Sequence, residues 1–154
     1  MSNWQEITLD LLNAANLTGV VDAMRDEAVA RGMADPWPET SAQAVDELRA
    51  CIGFSLKYTL DANTAAIPKG LVRLTLNRIV REMSRRVGRA LSADERDDDK
   101  LFEKRLDQIR AGQWPIEPPD NPMPSATPPV QSPVLTPSIQ PRRRRFTSRR
   151  EEGY

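Results

Sequence analysis

Histidine is absent from this chain and cysteine occurs once, at Cys51. A single cysteine excludes an intramolecular disulfide framework and suits a reducing compartment. Without histidine, the common zinc sites and the His-dependent catalytic arrangements are excluded too. Aromatic residues make up only 5% of the sequence, too few for a sandwich or barrel, whose strands draw on aromatic and β-branched side chains. No apolar run approaches the ~18 residues of a membrane-spanning helix. The opening MSNWQEITLD places an acid where a secretory signal would place basic residues. The expectation is a helical protein made and used in a soluble, cytoplasm-like setting, with no membrane partner.

Charge is plentiful but segregated. The 22 basic and 22 acidic residues cancel over the whole chain. Residues 1–62 carry four basic against ten acidic side chains, a net of −6, whereas residues 63–91 carry seven against Glu82 alone, a net of +6. Residues 92–115 return to −2, and residues 142–150 hold six arginines and no acid. Such blocks fit either solvated helix faces or surfaces on neighbouring copies that attract one another.

Apolar spacing predicts about five helices. The first covers residues 7–15 and the second runs from a cap at Thr18 to Gly32. The sequence DPWPE at 35–39 then predicts a loop, because Pro36 and Pro38 push their predecessors toward extended geometry. Thr40 with Gln43 reads as a capping box opening a third helix that runs through Leu60. Pro68 reads as the first-turn proline of a fourth, with Leu71, Leu74, Ile79, Met83, Val87 and Leu91 on its apolar side. Ser92 with Glu95 is the clearest capping box; it opens a fifth helix with Phe102, Leu106 and Ile109 buried and Gly112 as its stop. Between residues 115 and 141 lie ten of the thirteen prolines and hardly a charge. At ~3.1 Å per residue in polyproline geometry this segment reaches roughly 80 Å. It reads as an arm. The expected organisation is an all-α bundle over 1–114, a Pro-rich extended linker over 115–141 and a basic peptide over 142–154.

Two basic features stand out. Arg78, Arg81, Arg85 and Arg89 recur at steps of three and four, forming a stripe suited to a phosphate backbone or to the acidic surface of a neighbouring subunit. Only Glu82 is available locally as an intrahelical partner. The terminal Arg142, Arg143, Arg144, Arg145, Phe146, Arg149, Arg150 and Tyr154 combine permanently charged forks with two aromatic anchors, the make-up of a partner-binding peptide. Asp97, Asp98 and Asp99 do not read as a metal site, because consecutive helical residues point ~100° apart; they suit the positive end of the fifth helix or another subunit's arginines. Cys51 and Met83 read as core. Trp37 and Trp114, each beside a proline, suit either lids over the core or docking points.

The stretch Ala66-Ile67-Pro68-Lys69-Gly70-Leu71 before a long helix, then residues 99–112 (DKLFEKRLDQIRAG), then Arg144-Arg145-Phe146-Thr147-Ser148-Arg149 and Gly153-Tyr154 at the end, resembles the helical head-tail connector proteins of tailed bacteriophages, the Mu-like connector family in particular. The order of the motifs carries the resemblance, over residues 64–118 and 142–154. The family's tyrosine-proline loop after the second helix is missing here, and Trp37-Pro38 stands in its place. The resemblance implies a homo-oligomeric ring, commonly of twelve copies, docked on the portal protein of the filled capsid. Such a ring offers a platform to a neck or tail-completion protein and passes DNA through its lumen without sequence-specific binding. It implies a virion protein of the head-tail junction, assembled in the host cytoplasm. Residues 142–154 would reach the portal or an adjacent subunit, and the Arg78 stripe would face the channel or the next copy.

The expectation is thus a structural protein with no catalytic residues, cofactor or metal. A nucleic-acid-binding regulator or packaging subunit is the rival reading, and a metal-dependent nuclease is a distant third.

Overall fold

The computed structural model describes residues 2–124, which belong to one compact unit, Met1–Pro124. It is a bundle of five α-helices with one short two-stranded sheet: β1 Trp4–Glu6, α1 Leu9–Ala14, α2 Thr18–Ala30, α3 Pro36–Phe54, β2 Ala66–Pro68, α4 Val72–Arg86 and α5 Ala93–Arg110. The arm beyond 124 and the peptide at 142–154 lie outside the described residues.

Helix α3 is the central element and packs against α2, α4, α5 and β2. Its inward face carries Ala44, Val45, Leu48, Cys51 and Ile52, and Leu48 and Ile52 are wholly enclosed. Helix α4 contributes Leu76, Ile79 and Met83, with Val87 just past its end, and α5 contributes Phe102, Leu106 and Ile109, all buried. Each such side chain stabilises the fold by about 1.5–3 kcal/mol through burial. Cys51 and Met83 are core residues, and burial pushes the Cys51 thiol above its ordinary pKa.

The expected loop at 35–39 is instead the first turn of α3. Asp35 is the N-cap, its carboxylate accepting from the Trp37 backbone N–H at 2.9 Å, and Pro36 and Pro38 occupy the turn that follows. First-turn N–H groups have no helical acceptor, so two prolines lose nothing there. The bias of a pre-proline residue toward extended geometry holds for Asp35, at ψ 117°, but yields at Trp37, which is buried against the core. The Thr40–Gln43 capping box therefore does not exist. Thr40 lies inside the helix and donates back to the Pro36 carbonyl at 2.7 Å. Nor does α3 reach Leu60: it stops at Phe54, and Leu56 takes the left-handed conformation at φ 54° while 93% exposed.

Pro68 also differs from expectation. It ends β2, which pairs antiparallel with β1 in the register Trp4 with Pro68, Gln5 with Ile67 and Glu6 with Ala66. A 3-10 turn, Lys69–Leu71, then leads into α4. The first helix is shorter than expected, Leu9–Ala14 between the caps Thr8 and Ala15, and Thr18 begins α2 itself, with Leu17 as the N-cap. The Ser92–Glu95 capping box is present in both directions, and Gly112 at φ 65° closes the end of α5.

Residues 114–123 are tied to the domain. The Trp4 indole donates to Glu117 O at 2.9 Å, the Asn3 amide to Asp120 Oδ2 at 2.6 Å, and the Met123 amide to Leu60 O at 2.7 Å. Tyr58 donates its hydroxyl proton to Trp114 O, and the Arg105 guanidinium lies 3.5 Å from the centre of the Trp114 ring.

A left-handed leucine is strained, and here almost no burial offsets the strain. Replacing Leu56 with Gly should raise unfolding stability by about 0.5–1 kcal/mol, the strain relieved less the entropy cost of glycine. Urea denaturation of the two proteins checks this; a loss of stability would show that the leucine side chain is held by contacts it does not display.

Candidate functional site

The arginine stripe of α4 is largely consumed inside the domain. Arg78, Arg81 and Arg85 converge on one carboxylate, that of Asp99 on α5. Arg78 Nη1 lies 2.7 Å from Asp99 Oδ1, Arg81 Nε lies 3.1 Å from the same oxygen, and Arg85 bonds Oδ2. Glu82 adds an i,i+4 pair to Arg78 at 3.2 Å and an i,i+3 pair to Arg85, while Glu47 and Glu103 stand off at 3.8 and 3.9 Å from Arg78. The Arg78 guanidinium also covers the face of Phe102, 5.2 Å from its centre. This cation–π contact joins the polar node to the apolar seam below it. Among the described residues, Arg81 Nη2 is buried with no hydrogen-bond partner.

Burial acts to push the Asp99 carboxyl upward. Donation from Arg85, Arg78 and Arg81 outweighs it and holds the group below the ordinary aspartate range. Asp98 is exposed, and Asp97 pairs with Lys100 at 2.7 Å. The three consecutive acids thus point to separate surroundings, and among the described residues no group of three or more potential ligands is placed to hold a metal. Helix α4 stops at Arg86, so Arg89 and Leu91 are not on it as expected. Arg89 lies past the helix end, exposed and with no ion pair among the described residues, and Arg86 bonds Glu39 and Gln43 of α3 at 2.7 and 2.9 Å.

Sequence reasoning overlooked a second basic centre. Arg49 on α3 is buried and donates to three backbone carbonyls, Asn63 O at 2.9 Å, Ala66 O at 2.7 Å and Asp61 O at 2.8 Å, with Trp4 stacked at 5.7 Å. It fixes the loop between α3 and β2. The only available signal was its place on the apolar side of α3, one residue after Leu48.

The loop that Arg49 holds forms one wall of an open groove of about 290 Å³, lined by Ile7, Ala42, Val45, Asp46, Thr64 and Ala65 together with Ser41. Glu6, beside Ile7, accepts from Asn63 Nδ2 at 2.6 Å. No basic residue lines this groove. Three other depressions each contain at least one: Arg78 between α3 and α4, Lys69 and Arg73 between α1 and α4, and Arg86 beside Pro36.

The expected partner-binding residues Arg142, Arg143, Arg144, Arg145, Phe146, Arg149, Arg150 and Tyr154 lie outside the described residues. Trp37 is core, and Trp114 is half-buried between Tyr58 and Arg105. No protein-family model, no curated protein and no solved structure matches this chain.

Removing the charge of Asp99 leaves three arginines facing one another. Asp99→Asn should cost about 2–3 kcal/mol, below the ~3–5 kcal/mol of a fully buried pair because half-exposed Arg85 is screened by solvent. The folded-state pKa of Asp99 is lowered, so its contribution is complete above the unfolded value near 4 and is lost as pH falls through the lower folded value. Chemical denaturation at pH 7 and at pH 2.5 should show the gap between wild type and variant narrowing in acid. A gap independent of pH would contradict this assignment.

Proposed function

We propose that the chain is a structural assembly protein of the head-tail connector type. In this reading copies form a ring on a portal protein, at the head-tail junction of a virion assembled in the host cytoplasm. The ring offers a platform to a neck or tail-completion protein and passes DNA without reading its sequence. No catalytic residue, cofactor or metal has a part in it.

The observation that carries the reading over its nucleic-acid-binding rival is the fate of the α4 arginines. Arg78 and Arg81 are mostly enclosed and shared with Asp99, leaving Arg85 half-exposed and Arg89 as the outlying member of the stripe. A dedicated phosphate-binding helix would present its arginines to solvent. The motif order adds support. Residues 66–71 pass from a strand through a tight turn into α4, and residues 99–112 form most of α5 and its glycine stop. The order of these two motifs is the one on which the resemblance to connector proteins rests, although the proline-opened helix it also implies is not formed, because Pro68 ends β2 and α4 starts at Val72.

Light scattering on the size-excluded full-length protein, with a DNA titration across salt, separates the two readings. The connector reading expects a large homo-oligomer, or a monomer driven into one by portal protein, and weak DNA affinity. A monomer or dimer indifferent to portal protein, whose DNA affinity falls steeply with salt at a slope equivalent to several phosphate contacts, would replace it with the nucleic-acid reading.

A further inference from the structure

The groove held by Arg49 has an apolar floor in Ile7 and Val45 and two acids beside it, Asp46 and Glu6. Among the described residues neither acid has a basic side chain within salt-bridge distance. Most other acids of residues 1–62 are engaged: Asp22 and Asp35 with Arg25, Glu27 with Arg31, Glu39 with Arg86 and Glu47 with Arg78. Asp61 is buried and holds the loop, accepting from the Asn63 amide at 2.8 Å. Part of the unspent negative charge of the first block therefore stands beside an apolar groove that no base lines.

We propose that this groove receives residues 142–150 of a second copy of the chain. Phe146 lies on the apolar floor, and neighbouring arginines pair with Asp46 and Glu6. Charge complementarity selects this occupant. The chain is neutral only as a whole: residues 1–124 carry 16 basic and 20 acidic side chains, a net of −4, and residues 125–154 carry six arginines and two acids, a net of +4. Exchange between copies neutralises both excesses without another partner, and arginine forks fit carboxylates bidentately. Residues 125–141 give up to roughly 50 Å of reach in extended geometry, enough to cross a neighbouring domain of this size. The inference rests on reading the terminal peptide as a docking element, and it goes further by assigning the surface that receives it.

Directed cross-linking of the full chain tests this. In a Cys51→Ala background, one full-length protein carries Ala42→Cys on the rim of the groove, and a second, differing in tag mass, carries Thr147→Cys beside Phe146. Mixed under oxidised glutathione, the two should form a 42–147 disulfide between chains. Asp46→Arg with Glu6→Arg should reduce its yield at least tenfold, and adding Arg144→Glu and Arg145→Glu to the other chain should restore it. Circular dichroism confirms that each variant stays helical. A yield unaffected by charge reversal, or no 42–147 link, would each overturn the proposal. A protein that sizes as a large ring yet lacks the link removes the groove assignment and leaves the connector reading intact. A charge-dependent link in a dimer that portal protein does not enlarge does the reverse.

Discussion

One carboxylate decides how the C-terminal half of this domain is built. Helix α4 carries arginines on a face that must pack near α5, and guanidinium groups cannot be brought together at partial burial unless an anion lies among them. Asp99 supplies that anion at the point where α4 and α5 meet, and Phe102, one turn further on, lies under Arg78. The apolar seam of Phe102, Leu106 and Ile109 then continues along α5 against the core. Polar node and apolar seam are consecutive turns of one helix, so the ion network fixes the register in which the seam closes.

Arg49 performs a comparable task at the opposite side of α3 with different chemistry. It binds no carboxylate directly. Three carbonyls take its protons and Trp4 takes its face, and burial pulls its pKa below the usual value for arginine. The loop it secures leads into β2, which pairs with β1, and residues 114–123 bond across the same region. One guanidinium centre thus joins α4 to α5, and the other holds the irregular loop between α3 and β2.

Much of this could be read from the sequence, and the failures have physical causes. The face of α5 and the capping box at Ser92 followed from spacing, because an amphipathic helix with a cap is specified by local pattern, whereas on α4 only Ile79 and Met83 did, and the buried Val72, Leu76 and Val80 were passed over. The start of α3 did not, because proline has opposite meanings in a first turn and in a loop, and only the Asp35 cap distinguishes them. The β1–β2 pairing escaped because three-residue strands have no measurable period, and their partners lie some sixty residues apart. The Arg78 stripe was visible, yet its destination was not. The shortage of acids in residues 63–91 beside an acid-rich following helix was the clue that the partner was internal. Spacing suggests the helix dipole or another subunit's arginines for Asp99, whereas it lies a turn beyond the dipole's reach and pairs with arginines of its own chain.

The functional account depends on the same node, since arginines spent on Asp99 are not offered to phosphate. A double-mutant cycle between Arg81→Met and Asp99→Asn, read by equilibrium unfolding at pH 7, tests that claim most directly. The account predicts a coupling of about 0.5–3 kcal/mol, the range for contacting members of one network. A coupling within about 0.3 kcal/mol of zero, the additivity expected of independent sites, would mean that the arginines are not committed to Asp99 and would return the stripe to the surface.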